Sequence, residues 1–224
     1  MRLIANFTKN TAPIPIDKSC ELTNSYIHKC LGINNHYHDT FSSYSISSIQ
    51  GGILKNGMLN FEEGMYIVIS VPEKEQKFLS AIMTGILINP DFGFGMKFIS
   101  FTPTEVDVHK YHDYVQTISP IILKDGRIRK TFKDDGFWEE LTARTIKKLK
   151  HYDPDINVNG FKLSIADINN PNNKIKKIMV KGYVNKCSQV CMKIEGHKKT
   201  RMLLYDLGIG SSTGSGFGAI KVLN

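Results

Sequence analysis

Hydrophobic positions along this chain switch repeatedly between a strand-like period of two and a helical period near 3.6, and the order of the switches predicts the fold. Arg2 to Phe7 reads as a first strand, and Asn10 to Pro15 as a turn region. From Asp17 the spacing becomes helical. Leu22, Tyr26 and Cys30 fall four apart, Ile27 and Leu31 widen the stripe, and Gly32 with Asn34-Asn35 ends it. Thr40 to Ile49 alternates like a strand, with Phe41, Tyr44, Ile46 and Ile49 set among serines, and Tyr66 to Val71 is the strongest strand signal in the chain. Pro72 opens a second helix whose apolar face is Phe78, Leu79, Ile82, Met83 and Ile86. Gly95 to Thr102 returns as a strand, completing the order β-α-β-β-α-β.

The second half repeats that order. Tyr114 to Leu123 predicts a strand, and Asp135 to Lys150 a helix with Trp138, Leu141, Thr145 and Leu149 on one side. On the same spacing, Arg144, Lys147 and Lys148 fall on the opposite side as a basic, solvent-facing stripe. Phe161 to Ile168 and Ile175 to Val184 predict two strands, His197 to Asp206 a short helix, and Phe217 to Val222 a last strand. Two such units predict an α+β protein of two tandem ferredoxin-like (βαββαβ, RRM-like) domains with antiparallel sheets, residues 1–110 and 111–224.

Composition changes this picture in two respects. The net charge of +8 is lopsided: residues 1–110 carry nine Lys/Arg against ten Asp/Glu, whereas residues 111–224 carry twenty against eleven. A positive field concentrated in one half suits a polyanionic partner. Cys20, Cys30, Cys187 and Cys191 make no Cys-x-x-Cys pair and read as reduced thiols of a cytoplasmic protein. No apolar run is long enough to span a bilayer.

One stretch carries the candidate chemistry. Gly208, Gly210, Gly214, Gly216 and Gly218 place five of eighteen glycines within eleven residues, among serines and a threonine. Successive N–H groups of such a loop can form a concavity that binds phosphate. It is not a P-loop, since no Gly-Lys-Ser/Thr follows, and its spacing fits a dinucleotide fingerprint poorly. Zinc binding by His36, His38, His109 and His112 matches no known ligand spacing.

Gly208-Ile-Gly210 followed by Gly214-Ser-Gly216-Phe-Gly218 resembles the glycine signature of the CRISPR-associated endoribonucleases that cut the repeats of precursor CRISPR RNA, members of the RAMP superfamily. Tyr37-His38-Asp39 leading into Phe41-Ser-Ser-Tyr44-Ser45 is similar to that family's histidine segment, and Thr117-Ile-Ser119-Pro120 resembles the start of its second domain. The resemblance implies metal-independent RNA cleavage in which the 2′-OH attacks the adjacent phosphate, with no cofactor. It implies His38 as general base, with His36 as its substitute two residues away, and Tyr44 or Tyr26 orienting the substrate or donating to the phosphate. Tyr26 lies on the apolar stripe of its helix, where packing is the competing role, and His28 lies on the polar side of that helix.

RNA contacts are expected from the glycine loop, from Lys198, Lys199 and Arg201 before it, and from Arg144, Lys147 and Lys148. The run Lys174, Lys176, Lys177 and Lys181 adds to them. The resemblance also implies that the loop packs the second domain against the first. The expected partner is CRISPR repeat RNA, with room for a homodimer and for hand-over of the product to a CRISPR effector complex. The alternative is a non-catalytic RNA-binding subunit of such a complex.

Overall fold

Leu3, Ala5 and Phe7 point to one side of the first strand and are buried, while Ile4 and Asn6 point to the other. That strand, β1 (Arg2–Phe7), is the centre of the N-terminal sheet in the computed structural model, which describes residues 1–32, 35, 37, 41–104, 113–125, 128–180 and 182–223. In chain order follow β2 (Ile14–Pro15), α1 (Ser19–Leu31), β3 (Ser45–Ile46), β4 (Ile53–Lys55), β5 (Met58–Asn60) and β6 (Met65–Ser70). Then come α2 (Gln76–Ile88), β7 (Asp91–Gly93) and β8 (Met96–Thr104). The second half comprises β9 (Tyr114–Thr117), β10 (Leu123–Asp125), β11 (Ile128–Lys130), α3 (Phe137–Tyr152), β12 (Lys162–Ile165), β13 (Lys174–Val180) and β14 (Tyr183–Gln189). It closes with β15 (Cys191–Glu195), α4 (Lys198–Leu207) and β16 (Ile220–Val222).

The first sheet runs β3-β6-β1-β8-β7 and the second β12-β15-β9-β16, with every neighbouring pair antiparallel. In each the four principal strands take the order 2-3-1-4, the ferredoxin-like arrangement that the doubled sequence pattern predicts. Tyr26, Ile27 and Cys30 of α1 and Phe78, Ile82 and Ile86 of α2 share one core with Leu3, Ala5 and Phe7. Leu141 and Leu149 of α3 and Leu204 and Leu207 of α4 share the other with Val115, Leu163 and Ile220. Within the first core α1 and α2 approach so closely that a Cβ on Gly85 would collide with the Cys30 carbonyl.

Three predicted elements differ from the observed ones. The strand expected over 175–184 folds back on itself: Val180 pairs with Tyr183, and Gly182 between them has φ +79°. The resulting β13–β14 hairpin is an insertion, and the third strand of the second domain is β15 instead. The strand expected over 114–123 stops at Thr117, because Ile118, Ser119 and Pro120 turn to meet the end of the glycine loop. Ile118 N–H donates to Ala219 O at 2.7 Å, and Pro120 O accepts from Gly218 N–H at 3.0 Å. Thr40 to Ile49 contributes only Ser45–Ile46 to the sheet. The predicted boundary at 110/111 falls on residues 105–112, outside the described residues.

The two halves are joined through buried groups. Arg2, 8% exposed, donates from Nε to Ser70 Oγ (2.7 Å) and from Nη2 to Tyr205 O (2.9 Å), crossing from the first sheet to α4. Cys20 of α1 packs with Ile122, Ile178, Cys187 and Phe217. All four cysteines are free and buried, and burial pushes the Cys20 and Cys187 thiols up to about 12, which leaves them protonated and unreactive. Among the described residues no helix is long and apolar enough to cross a membrane.

Candidate RNA-binding cleft

Between the two halves lies a cleft of about 1040 Å³. Its N-terminal wall is Asn24 and His28 of α1 together with Tyr37, Phe41 and Tyr44. Its C-terminal wall is Arg144, Lys147, Lys148 and His151 of α3, with Lys124 and Arg129 from the β10–β11 hairpin. The floor is the glycine loop, residues 210–215. Glu21, ion-paired to Lys18 at 3.2 Å, is the single carboxylate on this lining among the described residues, so the cleft is strongly positive.

His38 and His36, the predicted general base and its substitute, lie outside the described residues, as do His109 and His112. Tyr37 and Phe41, which flank His38 in sequence, both line the cleft. Tyr44 also lines it. Its ring stacks on Phe78 at 3.8 Å and is 5% exposed, and burial pushes its hydroxyl up to about 12, so it enters any chemistry as a neutral donor. Tyr26 is placed elsewhere. Its ring packs against Phe7 and Phe92, its hydroxyl donates to Asn89 O at 2.8 Å, and it does not reach the cleft. The apolar stripe of α1 carries it into the core, which corrects its assignment as a substrate-orienting residue.

The glycine loop is mostly a packing device. Gly208, with φ +69°, ends α4. The N–H groups of Ile209, Ser211 and Gly218 donate to Gly218 O, Ile122 O and Pro120 O, and that of Ser215 to Ser212 O, so they are not available to a phosphate. A Cβ on Gly210 would lie 2.7 Å from Ile121, one on Gly214 would lie 2.8 Å from the Tyr44 ring, and one on Gly216 would lie 3.3 Å from Cys20 Cα. The loop therefore seats the second half against α1 and the Tyr44 segment. Ser212, at φ +60°, exposes a hydroxyl that accepts from Lys124 Nζ at 3.1 Å on the cleft side.

Of the predicted cations, Arg144, Lys147 and Lys148 line the cleft, and Arg144 is held by Glu140 at 2.6 Å. Lys198, Lys199 and Arg201 do not. They stand in the first turn of α4, whereas the glycine loop leaves its last, roughly 10–15 Å away at 1.5 Å per residue. Lys199 pairs with Asp153 at 3.6 Å, and Arg201 with Asp113.

Lys148 departs most from its predicted role. Part of its stem is exposed, but its ammonium is enclosed, donating to Leu207 O (2.5 Å) and Thr213 Oγ1 (2.6 Å). Thr213 Oγ1 in turn donates to Tyr44 O at 3.1 Å. Lys148 thus ties α3 to the end of α4, to the loop and, through Thr213, to the N-terminal half; it is no phosphate contact. Burial drives its amine down to about 7. An unfolded lysine keeps its proton to about 10.5, so between pH 7 and 10.5 folding releases a proton and stability climbs with pH. Below pH 7 both states are protonated and the slope vanishes. The stability difference between wild type and Lys148→Met, from urea unfolding, should therefore grow in favour of wild type between pH 7 and 9. Parallel curves would remove the buried-amine account.

Among the described residues no group of three or more His, Cys, Asp or Glu is disposed to hold a metal ion. Sequence reading missed Lys124, Arg129 and His151 as cleft residues. The basic run Arg127, Arg129, Lys130 after Gly126 is the legible sign of Arg129 alone.

Two ferredoxin-like domains thus face a shared basic cleft, with the glycine loop as the joint between them. A family model described as CRISPR associated protein Cas6, C-terminal, matches residues 103–222. The chain belongs to the CRISPR-associated Cas6 family, whose role is to bind and process CRISPR RNA. No curated protein matches it. A solved structure described as CRISPR associated protein Cas6 superposes with TM-score 0.81 at 19% identity, covering 100% of this chain and 99% of its own. A RAMP protein binding different RNA substrates gives 0.82 at 18%, covering 100% of both chains. The product of a Cas6-related gene from Pyrococcus furiosus gives 0.79 at 18%, covering 100% and 98%.

Proposed function

We propose that the chain cuts CRISPR repeat RNA within precursor transcripts to release mature guide RNAs, without a metal ion. The observation that carries the proposal is that the residues flanking His38, Tyr37 and Phe41, line the basic cleft opposite Arg144 and Lys147. In this reading residues 1–110 supply the catalytic histidine, and residues 111–224 supply the basic wall and the glycine loop. His38 takes the proton from the 2′-OH of the nucleotide before the break. The freed oxygen bonds to phosphorus as the P–O5′ bond breaks, and the departing 5′ oxygen gains a proton. The products are a 2′,3′-cyclic phosphate and a 5′-OH. Tyr44, neutral and beside Gly214 on the cleft lining, is the hydroxyl assigned to donation to the phosphate. Arg144, Lys147, Lys124 and Arg129 hold the backbone on either side, which makes affinity fall with salt. The partner is the repeat RNA, with the product kept or handed to a CRISPR effector complex.

The test is incubation of the chain with its own CRISPR repeat RNA in excess EDTA. One cut leaving a 2′,3′-cyclic phosphate and a 5′-OH is expected. Activity that EDTA abolishes and magnesium restores would refute the metal-free route. Tight binding with no cut by the wild type would make the chain a scaffold subunit.

A further inference from the structure

Phe41 differs from its aromatic neighbours. Tyr37 packs edge-on to Phe78 with centroids 4.9 Å apart and Tyr44 stacks on the same ring, so both belong to the N-terminal core. Phe41 joins no core cluster and leaves 40% of its surface exposed. Its ring meets that of His151, on α3 of the other half, with centroids 4.3 Å apart and planes at 53°. His151 is exposed as well, and both rings line the cleft. An exposed phenyl group gains nothing from water and would stabilise the fold more if buried. What sets it apart from other exposed apolar side chains is its ring partner on the cleft lining, a pair whose surface suits a ligand with a flat, unsaturated face.

The surroundings specify that ligand. Arg144, Lys147 and His151 lie at i, i+3 and i+7, on one face of α3, so the aromatic pair continues a line of cations. Arg144 is pre-ordered by Glu140, which Lys130 also contacts at 3.0 Å. An aromatic platform at the end of a row of cations is the pairing that single-stranded nucleic acid requires, with bases stacking on rings and phosphates on charges.

We propose that Phe41 and His151 form a stacking subsite for one unpaired nucleobase of the RNA, with Lys147 and Arg144 on the phosphates beside it. The inference rests on the RNA-processing reading. Phe41 is three residues from His38 in sequence, so the base it receives belongs to a nucleotide flanking the cut. Stacking tolerates any base but requires it to be unpaired, so the subsite selects where the RNA is single-stranded more than what it spells.

The test uses repeat RNA made uncleavable by a 2′-deoxy substitution before the break, with single abasic residues placed in turn on either side of it. With wild type, one abasic position should weaken binding roughly five- to a hundred-fold, the range for loss of one stacked base. Phe41→Ala should weaken binding of intact RNA by a similar factor and become indifferent to that same abasic position. Phe41→Trp should restore both, and His151→Ala, made from the other half of the chain, should give a smaller loss at the same position. Unchanged binding by Phe41→Ala, or losses that simply multiply at every abasic position, would overturn the subsite while leaving the RNA reading standing. No binding of repeat RNA by wild type would remove that reading and the subsite with it.

Discussion

Replacing His38 by Ala is expected to slow cleavage of repeat RNA at least a hundred-fold while changing its affinity by no more than about two-fold. General-base catalysis by a positioned side chain contributes typically 10² to 10⁴ in rate, which sets the size of the loss. The expected constancy of binding has a different origin. The cations on the cleft lining, Lys124, Arg129, Arg144, Lys147 and the enclosed Lys148, all come from the C-terminal half, and phosphate contacts by the accessible ones supply most of the affinity for an RNA backbone. Single-turnover cleavage and filter binding on the same preparation measure the two quantities separately. His36→Ala and His28→Ala belong beside it. A cut that survives in His38→Ala and disappears in His36→Ala would move the base by two residues, and one that disappears only in His28→Ala would place it on α1. Loss of binding in step with loss of cleavage would mean that His38 holds substrate or structure, and the proton-transfer role would fail.

Much of the fold was legible because each helix and each central strand obeys its own period. The helix expected over 197–206 is Lys198–Leu207, and the one expected over 135–150 is Phe137–Tyr152. The β13–β14 hairpin was not legible, because its two strands meet as one apolar run, Ile178 to Val184, broken only by Lys181-Gly182. Lys148 was misplaced for a different reason. Grouping it with Arg144 and Lys147 used charge, but it lies seven residues after Leu141 and three after Thr145, both fully buried, so helical geometry puts it on the inward side. The glycine cluster was legible as a special conformation and its packing role was implied by the resemblance. Which backbone it meets depends on contacts to Cys20, Tyr44 and Ile122, far away in sequence. The cleft itself combines α1, the Phe41 segment, α3 and the β10–β11 hairpin, and no local pattern announces such a convergence.

That convergence makes Gly218→Ala a severe test of the joint, because the added methyl meets backbone. Gly218 sits at φ +64°, where any side chain is strained, and an added Cβ would collide with the carbonyl oxygen of Ile209. No side-chain rotation relieves this, because the obstacle is backbone whose position is already fixed twice. Ile209 N–H donates to Gly218 O at 2.9 Å, and Gly218 N–H donates to Pro120 O at 3.0 Å. Gly160 separates the two costs, since it has nearly the same φ, +67°, and nothing within 4 Å of its Cβ position. Gly160→Ala should cost about 1 kcal/mol, the low end of left-handed strain. Gly218→Ala adds an overpacking cost of about 1–3 kcal/mol and should reach about 2–4 kcal/mol in all. In thermal unfolding this corresponds to roughly 4–16 °C for Gly218→Ala against roughly 2–4 °C for Gly160→Ala. Equal shifts would mean that the loop yields and that φ alone sets the cost. A much larger shift at Gly218 would show that the joint between the halves depends on one hydrogen-sized space. It would also mean that the family's glycine signature records backbone contact more than phosphate binding.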